Sequence, residues 1–84
     1  MANEQMERLV SQAVGQAFDQ WAAEHPSLAA ALDRIDLLDR ATQSLKASSQ
    51  YQAAMDEFRR SREELDCFNR LLTLAEPILA TLLR

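Results

Sequence analysis

The stretch "DRIDLLDR" places Asp33, Asp36 and Asp39 at successive three-residue steps. On a helix, neighbouring carboxylates at that spacing lie on one side and could share a divalent cation or a proton. Arg34 and Arg40 interleave with them, and Asp36 stands four residues before Arg40, the spacing of a favourable helical ion pair. The Glu-x-x-His pattern of di-metal helical bundles is missing. The expectation is a solvated, ion-paired face that holds no metal. His25 is the single histidine, which rules out a multi-histidine metal site, and its place before Pro26 marks a helix boundary.

The only basic cluster is Arg59, Arg60 and Arg62 in "EFRRSREELD". A nucleic-acid face needs positive charge with few competing carboxylates. Asp56, Glu57, Glu63, Glu64 and Asp66 surround these arginines instead. The pairs Asp56 to Arg60, Arg60 to Glu64 and Arg62 to Asp66 all have four-residue spacing, so surface salt bridges are expected. Cys67 has no histidine beside it and no helix N-terminus to lower its pKa, which argues against a nucleophile. No catalytic residue, no cofactor and no metal is therefore expected, and the chain reads as non-enzymatic.

The elements that carry these residues are helical. Fourteen Ala and thirteen Leu stand against one Gly, two Pro and seven β-branched residues, a balance that favours helix because Ala and Leu lose little side-chain freedom there. Met6, Leu9, Val10, Ala13, Val14, Ala17, Phe18 and Trp21 recur at steps of three and four and predict a first helix over 3–24, with Asn3 as its N-cap and Phe18 and Trp21 in the core. Pro26 ends it and suits the first turn of the next. Leu28, Ala31, Ile35, Leu38, Thr42 and Leu45, widened by Leu32, predict a second helix over 27–47. Ser49 followed by Gln52 resembles a capping box that starts a third, over 50–84.

That third segment has the most regular pattern. Tyr51, Ala54, Phe58, Ser61, Leu65, Phe68, Leu72, Ala75, Leu79 and Leu82 alternate three and four without a slip, which is a heptad seam. From Leu65 onward a second seam, Cys67, Leu71, Leu74 and Ile78, lies about 100° away on the same half-cylinder. Pro77 falls on the polar half, where a proline bends a helix without exposing a buried carbonyl. The fold class expected is all-α: one domain over 1–84, either an antiparallel up-down-up three-helix bundle or an extended helical hairpin with a long, Pro-kinked C-terminal helix. At 1.5 Å per residue that helix would reach about 50 Å, beyond neighbours of about 30 Å.

This surplus of apolar surface carries the functional expectation. One helical neighbour covers one seam, so Cys67, Leu71, Leu74 and Ile78 are expected to face another chain, a second copy in a homodimer or a partner helix. The competing arrangement has both seams covered inside the monomer by the first two helices. A second functional reading, by analogy of size, acidity and helicity, is a small acidic chaperone or adaptor that holds a helical client such as a secretion or filament subunit. The acidic balance, −4 at pH 7, and the flanked arginines point away from nucleic acid. The N-terminal "MANEQMERLV" lacks the pattern of a signal peptide, and no run reaches about 18 apolar residues. With one cysteine nothing asks for an oxidising compartment, so the expectation is a cytoplasmic protein with no membrane partner.

Overall fold

The computed structural model describes residues 2–83, and side chains from residue 4 onward. Among the described residues the chain is helical except at short connections and has no strand. Five helices succeed one another: α1 (Ala2–Glu24), α2 (Pro26–Ala30), α3 (Arg34–Lys46), α4 (Ser49–Ser61) and α5 (Glu64–Leu82). α1 already includes Asn3, so the residue expected as its N-cap lies within the helix instead.

In α1 the sequence stripe is the buried stripe as far as Phe18: Met6, Leu9, Val10, Ala13, Val14, Ala17 and Phe18 are all buried, as a period of 3.6 requires of a helix with one covered face, whereas Trp21, expected in the core, is only half-buried at its edge. The helix stops at His25, whose N–H donates to Trp21 O and Ala22 O at 3.0 and 3.2 Å. Pro26 then opens α2, where its missing N–H costs no hydrogen bond.

The single helix expected over 27–47 is two. After one turn, α2 ends at Ala30, and Asp33 in extended geometry caps α3 by accepting from the Asp36 N–H at 3.2 Å. An Asp at an N-cap satisfies a backbone donor that would otherwise be orphaned, typically contributing about 1 kcal/mol. That local gain marks a new helix start inside an apparently continuous pattern. The consequence is a changed face. Leu37, Ala41 and Leu45 are buried in α3, whereas Leu28, Leu32 and Ile35 of the expected stripe are exposed.

The helix expected over 50–84 is also two. It is capped by Ser48, not Ser49, with the Ser48 hydroxyl accepting from Gln50 N–H at 3.2 Å. α4 then ends at Arg62, which adopts the left-handed conformation (φ 58°, ψ 22°) and donates its N–H to Phe58 O at 2.8 Å. A left-handed residue with a Cβ costs about 1 kcal/mol or more, and here no glycine relieves it. Pro77 lies inside α5 on its exposed side, and the helix continues through it to Leu82.

α5 is the central element, packed against α1, α3 and α4. It runs parallel to α1: the Cys67 and Met6 sulfurs meet at 3.7 Å near one end, and Leu79 shares a cleft with Ala17 and Trp21 toward the other. α3 runs antiparallel to α1, pinned by Arg34 to Asp19 at 2.7 Å and Lys46 to Glu7 at 2.6 Å. The principal extents are 42 × 21 × 19 Å. The overhang expected of a 50 Å helix is removed by the corner at Arg62 and Glu63.

Candidate partner-binding face

The four residues singled out from the sequence divide into two pairs. Cys67 and Leu71 are 3% and 0% exposed within the single chain, so both belong to its own core. Leu74 and Ile78 are half-buried and pack against that core from its edge. The buried residues of α5 are Cys67, Leu71, Ala75 and Leu79, two from each expected seam. At about 100° per residue a run of four-residue steps drifts across the helix, and this one bisects the two seams. Three helices pack around α5, not one, and the apolar half-cylinder is therefore used mainly inside the monomer. Phe68, Leu72, Leu74, Ile78 and Leu82 form its half-buried flanks.

Cys67 sits in this core in the first turn of α5, so the expectation that no helix N-terminus lies beside it is corrected by the helix start at Glu64. Burial first, and then the negative charge of Asp66, push its thiol above the ordinary value. Its near neighbour across the interface with α1 is the Met6 thioether, a weak acceptor that gives a thiolate no support. Tyr51 is buried next to this region, and its pKa is likewise raised, by burial and then by Glu7.

The acidic series is dispersed among three roles. Asp33 caps α3, Asp36 pairs with Arg40 at 3.1 Å, and Asp39 accepts from the Gln43 amide at 3.0 Å. Among the described residues no group of three His, Cys, Asp or Glu could hold a metal ion. Arg34 bonds to Asp19 and lies over the Phe18 ring at 5.3 Å, so its charge stitches α3 to the end of α1. Arg59 and Arg60 pair with Asp56 at 3.6 Å and Glu57 at 2.9 Å. These are three-residue pairs. None of the three expected pairs is among the ion pairs of the described residues: Arg60 turns to Glu57 and leaves Asp56 to Arg59, and the helix breaks between Arg60 and Glu64 and between Arg62 and Asp66, so that Asp66 turns to Arg70 at 3.6 Å instead. His25 stacks on Trp21 with ring centres 4.9 Å apart and bonds through Nδ1 to Trp21 O at 3.1 Å.

The apolar surface left over lies elsewhere. Ile35 is 82% exposed, Leu65 73%, Leu28 60% and Leu32 38%. Three of the four fall within eight residues at the α2–α3 corner, and the fourth is in the first turn of α5. A groove of about 450 Å³ opens between α4 and α5, lined by Gln50, Ala53 and Ala54 on one side and by Asp66, Asn69, Arg70, Thr73 and Leu74 on the other. The small alanines leave it open and Leu74 supplies its largest apolar side chain. Pattern reading missed the α2–α3 corner because Leu28, Leu32 and Ile35 fit a helical stripe; the signal that could have found it is Asp33, an N-cap type three residues before another acid. No helix among the described residues is long and apolar enough to cross a membrane. No protein-family model, characterised protein or solved structure matches this chain, so any functional reading rests on the geometry above.

Proposed function

We propose that the protein is a non-enzymatic helical interaction module that associates with a second copy of itself or with a partner helix. The observation that carries this reading is the exposure of Leu28, Leu32, Ile35 and Leu65 on a chain of 84 residues. Scattered surface leucines are ordinary, but three large aliphatic side chains within eight residues, on two helices and the tight corner that joins them, are the kind of local apolar surface that contacts use. Leu74 and Ile78 extend the available apolar surface along α5, whereas Cys67 and Leu71 serve by holding α5 in place. Buried in a contact, each exposed aliphatic side chain would contribute about 1.5–3 kcal/mol before ordering costs. The polar residues offer no convergent acid, base and nucleophile, so the chemistry fits recognition and not catalysis.

Sedimentation equilibrium across micromolar concentrations tests the self-associating form. The wild type should exceed its 9.5 kDa monomer mass. Ile35→Glu should weaken association while leaving the helical circular dichroism unchanged, because Ile35 makes little contact within the chain. A wild type that remains monomeric into the hundreds of micromolar, and captures no second protein from its host's extract, sinks the reading.

A second reading draws on the groove between α4 and α5. Its alanine wall and Leu74 would accept one apolar ridge of a client helix, as a small acidic chaperone or adaptor requires. Capture of one dominant helical protein, lost on Ala53→Trp, would favour this reading over self-association.

A further inference from the structure

We propose that the α4–α5 corner is a hinge, and that two copies of this chain exchange α5 when Arg62 and Glu63 straighten and join α4 and α5 into one helix from Ser49 to Leu82. The proposal rests on the self-associating form of the reading above and names its geometry. Four observations meet at this corner. First, the turn is closed by an arginine in the left-handed region at φ 58°, where a Cβ is disfavoured and no glycine or proline holds the bend. Second, every residue from Ser61 to Asp66, "SREELD", is compatible with a helix. Third, the heptad pattern runs through the corner without a slip, from Tyr51, Ala54 and Phe58 across Ser61 and Leu65 to Phe68 and Leu72. Fourth, Leu65 occupies a seam position in that pattern yet is 73% exposed in the bent chain.

The straight helix resolves each of these. Arg62 leaves the left-handed region, and Arg60 with Glu64 and Arg62 with Asp66 come to one-turn spacing, the pairs that the bend separates. Leu65 joins a continuous apolar face. A straightened chain cannot keep α5 against its own α1 and α3, but a second straightened chain offers the same surfaces. Each α5 then fills the bed of the other, and the core packing is preserved across a two-fold axis that passes near the two Leu65 residues. A short hinge under strain, joining segments that favour one helix, is the arrangement in which exchange meets little resistance. The occupant of the exposed Leu65 surface is the second copy.

Two substitutions bias the hinge toward the bent form without disturbing it. Arg62→Gly removes the left-handed penalty and weakens the straight helix, and should disfavour exchange by about tenfold or more per chain. Glu64→Pro suits the bent form, in which Glu64 is the first residue of α5 and Glu63 before it is extended. In a straight helix the same proline would meet the Arg60 carbonyl and should disfavour exchange by roughly a hundredfold per chain. Both effects apply twice in a dimer.

The experiment places spin labels at Gln50→Cys and Thr73→Cys in a Cys67→Ala background, after refolding at several hundred micromolar. Labelled chains are diluted with unlabelled ones so that only distances within one chain are read. In the bent chain the two positions line the same groove; in a straight helix, 23 residues at 1.5 Å separate them by about 35 Å. The expected result is a dimer fraction carrying the long distance, strongly reduced in Arg62→Gly and abolished in Glu64→Pro, with helical circular dichroism retained in both. A dimer that keeps only the short distance, or that Glu64→Pro leaves intact, overturns the exchange and leaves the interaction module standing. Absence of any dimer after concentrated refolding overturns the exchange and removes self-association with it.

Discussion

Leu71 and Leu74 stand three residues apart on α5, and replacing each by Ala separates a core role from a surface role. Leu71 is 0% exposed in the middle of the helix that touches three others. Truncating a leucine so enclosed removes its transfer free energy and leaves a cavity that its neighbours only partly close, about 3 kcal/mol together. Leu74 is half-buried beside the α4–α5 groove, where surrounding water fills the space left, and the loss should be about 1 kcal/mol. A chain of 84 residues has roughly 4–12 kcal/mol of stability in all, so Leu71→Ala removes a large share. At about 4–8 °C per kcal/mol for a domain of this size, its melting temperature should fall by about 12–24 °C, against about 4–8 °C for Leu74→Ala. Urea unfolding followed by far-ultraviolet circular dichroism measures both. Equal losses at the two positions would show that Leu71 is no more enclosed than Leu74 and refute this assignment.

Asp33→Ala should cost about 1 kcal/mol by removing the cap of α3, while Asp39→Ala, which removes only a surface hydrogen bond from Gln43, should stay within about 0.5 kcal/mol; reversed values in urea titrations would remove Asp33 as the reason for the corner. The Lys46 to Glu7 pair joins α3 to α1 at 2.6 Å but is solvent-exposed, so Lys46→Ala should cost about 0.5 kcal/mol at low salt. Much of that difference should disappear at about 1 M NaCl, where screening shortens to about 3 Å, and a loss that persists undiminished would mean Lys46 acts through packing. Burial raises the Cys67 thiol above its ordinary value of 9.0, so the folded state favours the protonated form. That contribution is complete below about pH 9 and is lost as pH rises through the folded value. The urea midpoint should therefore fall above about pH 9, with Tyr51, raised from 10.0, adding a second decline above about pH 10. Cys67→Ala should remove the first decline, and a profile identical to that of the wild type would refute the assignment.

How much of this was legible in the sequence varies from helix to helix. α1 could be read up to Phe18 because its neighbours cover one stripe of it, and a 3.6-residue period is then sufficient information. The break at His25 and Pro26 was legible because proline acts locally. At Asp33 and Arg62 the same periodicity runs straight past a corner, since Leu28 to Leu45 and Tyr51 to Leu82 keep helical spacing on both sides. Spacing reports what a segment can form alone; a left-handed Arg62 forms only when packing on α5 offsets its strain. The candidate site suffered in consequence. The expectation that the second seam would face another chain rested on a continuous helix over 50–84, whereas in the bent chain α1, α3 and α4 all pack on α5 and Cys67 and Leu71 lie inside.

By itself, then, the sequence determined an all-helical chain, the buried face of α1, the proline boundary and the scarcity of reactive groups, because composition, short-range sterics and the one-turn spacing of charges are properties of neighbouring residues. Tertiary structure decided which of two equally apolar seams lies inward, and its answer takes residues from both. It also decided that Ile35 and Leu65 stay in water while Leu37 and Cys67 do not. Those choices depend on how three helices share the surface of α5, and a side chain two positions away along the chain can be half a turn away in space.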